Sequence, residues 1–104
     1  MRLRWTARAR HDLLAIGRYI ARDNPEAARR WVERLRERAR RAARQPLAGR
    51  VVPELQRDDI REVLLRAYRI VYRLRPGEIH VLTVFEGHRL LRKQDIVDAD
   101  DEWT

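Results

Sequence analysis

Four residues of this sequence have the chemistry to grip or cut a phosphate ester: Arg61, Arg69, His88 and Arg89. Clustered guanidiniums bind phosphate through paired hydrogen bonds and stabilise the extra charge of a phosphoryl transition state. Cutting RNA also demands a base for the 2′-hydroxyl and an acid for the leaving oxygen. Arginine stays charged and is a poor base. His88, next to Arg89, is therefore the titrating candidate, with Tyr68 and Tyr72 behind it, although core packing is the commoner role for tyrosines in such a strand.

Composition closes off most other chemistries. The chain has no cysteine and no serine, which removes disulfides, thiolate metal sites and the two commonest side-chain nucleophiles. His11, His80 and His88 show no HxxxH or HxH spacing, and no glycine-rich phosphate loop occurs, so neither a metal nor an organic cofactor is expected. Glu54, Asp58, Asp59 and Glu62 form an acidic group ahead of the sheet, whose plain reading is a solvated set. The formal net charge of +8 points to a polyanion or an acidic protein as partner. The bland alternative is an arginine-rich base composition, since the chain has 23 arginines beside the single Lys93. No apolar run is long enough for a signal peptide or a membrane span, so a cytoplasmic protein without membrane contact is expected.

The elements that must position these residues can be read from periodicity. Residues 61–66, 68–75 and 79–85 form three short strands. In the middle one Tyr68, Ile70, Tyr72 and Leu74 share one face while Arg69, Val71, Arg73 and Arg75 share the other. One face can pack on a core while the other offers guanidiniums to something acidic. Pro76-Gly77 supplies a type II turn, and the mostly apolar third strand belongs inside the sheet. Arg61, Arg69 and Arg89 stand at the start of one strand, the start of the next and just after the third. They are expected to converge at one end of the sheet or in a cleft beside it.

Upstream, Met1–Trp5 alternates as an edge strand joining this meander. Thr6 caps a helix from about Ala7 to Arg22, whose apolar stripe is Ala9, Leu13, Ile16 and Ile20. Asn24 and Pro25 cap and open a second helix, about Pro25 to Arg44, so the two form a hairpin. Residues 45–60 are too apolar for a free linker and read as an ordered loop. Residues 95–104 reverse the charge and form an acidic tail, expected near the arginine face. The 104 residues suffice for one domain. The fold class is α+β: a helical hairpin packed on a twisted antiparallel sheet of about four strands, in the order β-α-α-β-β-β plus tail.

GRVVPEL, then IREVLLRAYRIVYRL, then IHVLTVFEGHR resembles the RelE/ParE family of bacterial toxins from type II toxin–antitoxin modules, over Leu3 to about Arg92. The resemblance implies a cognate antitoxin that wraps the toxin in a hetero-oligomer and makes the operator-DNA contacts. Two activities occur in the family. RelE-like members cut messenger RNA on the ribosome without a metal; ParE-like members block DNA gyrase. Arg69 in YRIVY and Arg89 in GHR match the RelE-type arginines, and Arg61 stands near one sheet lysine. The other sheet lysine is replaced by Val63 or Leu64, and no tyrosine follows Arg89. The PEL and IRE elements are similar to the ParE branch. The leading expectation is a gyrase-binding toxin neutralised by an antitoxin. The alternatives are a ribosome-dependent endoribonuclease and a non-toxic nucleic-acid-binding module.

Overall fold

Helix α1 (Ala7–Ala21) begins at Thr6, whose hydroxyl oxygen accepts the Ala9 amide at 3.1 Å. The same hydroxyl lies 3.1 Å from the carbonyl oxygens of Val81 and Leu82, so one side chain both caps the helix and fastens it to a strand. Helix α2 (Pro25–Arg44) opens on Asn24, whose side chain accepts the Ala27 amide, with proline at the first helical position. These are the caps the sequence predicts, and together they turn the chain within three residues. Gly17 lets the two helices approach, since a methyl there would stand 3.2 Å from Val32 Cγ2.

A computed structural model describes residues 1–87 together with Leu91, Arg92 and Ile96. His88, Arg89 and the acidic tail beyond Ile96 lie outside the described residues. The strands are β1 (Arg2–Trp5), β2 (Arg50–Val51), β3 (Ile60–Leu65), β4 (Tyr68–Arg75) and β5 (Glu78–Glu86), in spatial order β1-β5-β4-β3-β2. The sheet thus has five strands where about four are expected. The addition is β2: Arg50 and Val51, inside the stretch read as a loop, pair antiparallel with Glu62 and Arg61. Strand β1 is an edge strand, as expected, but it runs parallel to β5. All other pairs are antiparallel, and β5 is interior, which explains why both its faces are apolar.

The two faces of the sheet carry separate cores. Against the helices pack Ile70, Tyr72, Ile79, Val81 and Val84, meeting Leu13, Leu35 and Ala39. Each fully buried aliphatic side chain there contributes roughly 1.5–3 kcal/mol. On the opposite face Val52, Ile60, Val71, Leu82 and Phe85 form a second cluster, closed by Leu91 and Ile96. Between Val71 and Tyr72 the pairing with β5 slips by one residue, leaving Leu82 as a bulge. At this irregularity Asp12 of α1 accepts the Thr83 hydroxyl at 2.6 Å and the Val84 amide at 3.0 Å. Helix α1 is therefore pinned at the bulge by Thr6 on one side and Asp12 on the other.

Candidate functional site

The alternation expected for β4 is present, with a consequence for its arginines. Cross-strand partners share a face, and Arg61 pairs with Tyr72 whereas Arg69 pairs with Leu64. Arg61 therefore sits on the helix-facing side of the sheet and Arg69 on the other. The convergence expected of these two does not occur, because they occupy registers of opposite parity in one regular hairpin. Arg61 is committed to backbone: its Nε donates to the Asp58 carbonyl at 3.1 Å and its Nη1 to the Gly49 carbonyl at 3.0 Å. It anchors the connection between α2 and β3. Arg89 and His88 lie outside the described residues.

Arg69 does meet something acidic, but within the same chain. It is 5% exposed. Its Nε donates to Glu62 at 2.6 Å, and its two terminal nitrogens donate to the two oxygens of Glu54 at 2.7 and 2.8 Å. The guanidinium carbon lies 5.1 Å from the centroid of the Phe85 ring, so the cation rests on an aromatic face as well. Glu62, whose side chain is fully buried, also accepts from Arg50 Nε at 2.5 Å. Glu54 accepts the backbone amide of Leu91 at 3.0 Å. Among the described residues, two carboxylates and two guanidiniums thus form a charge-balanced network on the face away from the helices.

Its electrostatics follow from that geometry. The Arg69 hydrogen bonds hold the Glu54 carboxyl far below the ordinary range, at about 2, with the Leu91 amide adding to the effect against partial burial. The same bonds raise Arg69 above its usual value. A depressed carboxyl contributes stability that is fully present above its unfolded value, near 4.5, and is lost as pH falls toward 2. Glu54→Gln is therefore expected to lower stability at pH 7 by about 2–3 kcal/mol. It should also flatten the decline between pH 4.5 and 2. Urea titrations at a series of pH values check this, and parallel acid limbs for parent and variant would contradict it.

The tyrosines have structural roles. Tyr72 is fully buried and donates its hydroxyl to the Pro46 carbonyl at 2.6 Å, and burial pushes its phenol up. Tyr68 meets Trp31 edge-on, with ring centroids 6.1 Å apart, and burial pushes it up too, followed by the nearby Glu86. Neither is drawn toward neutral pH.

Glu54 and Glu62 are the site residues that sequence reasoning passes over when it treats the acidic group as solvated. A signal existed for one of them. The tight turn at Arg66-Ala67 sets Leu65 opposite Tyr68, which carries Glu62 to the face of Val71 and Arg69. Nothing local marks Glu54, which reaches Arg69 across 15 positions of sequence.

Comparison with known proteins decides the family. Residues 3–91 match the model of the ParE toxin of the type II toxin–antitoxin system parDE. The chain belongs to the RelE/ParE family of type II toxins. The toxin is 37% identical over 90 residues to a Sinorhizobium fredii protein named as a candidate toxin, Y4kP, covering 85% of this chain and 90% of that one. It is 35% identical over 86 residues to toxin RelE2 of Caulobacter vibrioides, covering 83% and 94%. Among solved structures it is similar to the chromosomal ParDE toxin–antitoxin system from P. aeruginosa, with a TM-score of 0.69 and 26% identity over 83% of this chain and 95% of that one. The motifs that carry the resemblance now have a physical meaning. PEL supplies Glu54, IRE supplies Glu62 and YRIVY supplies Arg69, so the three segments are members of one ion network.

Proposed function

We propose that this toxin acts in the ParE manner, by binding DNA gyrase, and that a cognate antitoxin neutralises it in a hetero-oligomer. The observation that carries the reading is the occupation of Arg69. A guanidinium that is 5% exposed and bonded to two carboxylates has no free donor fork to offer a scissile phosphate. Burial raises the Tyr68 and Tyr72 phenols, so neither supplies the base that the 2′-hydroxyl would need.

Neutralisation has a surface suited to it. A largely apolar cavity of about 640 Å³ runs along the hairpin, lined by Trp5, Leu14 and Val32 together with Arg10, Arg18 and Arg36. Among the described residues its lining includes no acidic one. An amphipathic antitoxin segment with acidic flanks fits that combination of apolar floor and positive charge. Among the described residues no helix is long and apolar enough to cross a membrane.

The purified toxin is expected to inhibit gyrase supercoiling in a dose-dependent way, and to leave messenger RNA intact on translating ribosomes. Codon-positioned cuts with unaffected supercoiling would replace this reading with the endoribonuclease one. The absence of both effects and of growth arrest, with salt-sensitive binding to nucleic acid, would leave the plain binding module.

A further inference from the structure

We propose that the flank of α2 beside β3 is a binding strip for the phosphate backbone of a nucleic acid, built from Arg34, Arg38, Arg41 and Arg61. What sets these four apart is the kind of partner each has. Arg40 and Arg44 are neutralised by Glu33 and Glu37 at 2.9 to 3.1 Å. Arg50 and Arg69 are neutralised by Glu62 and Glu54, and Arg57 by Asp59. On the strip, among the described residues, no carboxylate bonds a guanidinium. Arg38 Nε donates to the Leu64 carbonyl at 3.3 Å, and Arg61 donates to the carbonyls of Asp58 and Gly49. Arg34 lies 4.9 Å from the centroid of the Trp31 ring, and Arg41 is exposed.

A neutral acceptor or ring holds a guanidinium in place without cancelling its charge. Such a cation is already positioned, so it loses less side-chain freedom when an anion docks. The charges also crowd one another. Burial lowers Arg38, and the like charge of Arg41 lowers it further. Burial raises the Tyr72 phenol while Arg61 and Arg38 both pull against it, so helix and strand bring their cations to one ring. From Arg34 to Arg41 the strip runs about 10 Å along α2, which is about three phosphate steps of one duplex strand. The paired donors of each guanidinium match phosphate oxygens. A protein partner would instead need an apolar anchor. Among the described residues the exposed large apolar side chains are Met1, Leu14, Tyr19, Leu47 and Leu64, none of them on α2. Leu64 stands on the sheet's other face, with Arg69. None of the four arginines lines the apolar cavity of the hairpin, so the strip is separate from the surface proposed for the antitoxin.

The test uses the toxin alone with fluorescent DNA and RNA duplexes of arbitrary sequence, so its outcome does not depend on gyrase. Anisotropy titrations from about 50 to 200 mM salt give the affinity and its salt slope. The variant Arg34→Gln/Arg38→Gln/Arg41→Gln keeps Arg61, which anchors the connection before β3. The control, Arg22→Gln/Arg29→Gln/Arg75→Gln, removes three charges from exposed positions elsewhere, so both proteins fall from +8 to +5. The strip variant is expected to lose about 2.7 from the log–log slope and roughly hundredfold in affinity at about 0.1 M salt. The control should lose less than about threefold. The duplex bound more tightly by the parent names the backbone that the strip prefers. Equal losses in the two variants, or a parent that binds neither duplex, would overturn the strip. Polyglutamate bound by the parent as tightly as the duplexes would mark an acidic-protein surface and overturn the nucleic-acid assignment. Should the triple variant fail to fold, Arg34→Gln/Arg41→Gln keeps the Arg38–Leu64 bond and decides. A slope reduced by about 1.8 supports the strip, and a parental slope overturns it.

Discussion

Arg69→Ala is expected to cost this toxin about 3–5 kcal/mol of folding stability, the usual loss when one member of a buried ion network is removed. The two carboxylates that share Arg69 explain the size. Glu62 is fully buried and would retain only Arg50, a residue whose own side chain is 58% exposed. Glu54 would lose both bonds that hold its charge in place. For a domain of this size the melting temperature should fall by roughly 15 °C or more. Arg75→Ala is the control: it is on the same strand and the same face but exposed, and should change stability by less than about 0.5 kcal/mol. Arg69→Lys keeps the charge without the planar fork, so it should fall between the two. Loss of growth arrest in Arg69→Ala would then trace to folding. A melting temperature equal to the parent's, with toxicity lost, would instead assign Arg69 to target chemistry.

The second large effect is expected at Gly49, where space rather than backbone conformation sets the limit. Its φ of −71° suits any residue. A methyl group there, however, would overlap the Tyr72 hydroxyl and approach the Glu62 carbonyl oxygen to 2.9 Å. Neither neighbour can yield easily. Tyr72 is fully buried and bonded to Pro46, and the Glu62 carbonyl belongs to the sheet backbone. Gly49→Ala is expected to cost about 3 kcal/mol, the upper end for overpacking. Tyr72→Phe alone should cost about 1 kcal/mol through the lost hydrogen bond. Removing that hydroxyl also removes the worst overlap, so the double variant should be more stable than Gly49→Ala alone. Chemical denaturation of the four proteins gives the coupling energy. Additive losses would show that the hydroxyl is not what excludes a side chain at position 49.

Much of the fold was legible in the sequence because its signals are local. Thr6 and Asn24 mark helix starts by accepting amides three positions on, and Pro25 by its fixed φ at the first helical position. Alternation along Tyr68–Arg75 gave both faces of β4, and Pro76-Gly77 closes the next hairpin with Gly77 at φ +74°. Strand β2 was missed because two residues are too few for a period to show, and only its pairing with β3 makes it a strand. Along α2 the surface charges pair within the helix, with Glu37 accepting from Arg40 and Arg44.

The candidate site was legible in residue type and not in connection. Arg69 does lie on the face of β4 read as the arginine face, but its acidic partners are Glu62 and Glu54 of the same chain, 7 and 15 positions upstream. Treating Glu54 and Glu62 as solvated concealed that the two observations belong together. Grouping Arg61 with Arg69 ignored the hairpin register, which sends odd and even positions of β3 to different sides of the sheet.

Alone, the sequence determined the two capped helices, the alternating meander and the motifs that place this toxin in its family. Each depends on contacts within a few residues, or on repeats that the backbone geometry imposes. Tertiary structure decided whether an arginine is available. Arg50, Glu54, Glu62, Arg69 and Leu91 come together only after the sheet has paired and the chain has crossed its second face. A buried guanidinium's freedom is set by which carboxylates lie within about 3 Å of it, a distance that strand order and register create.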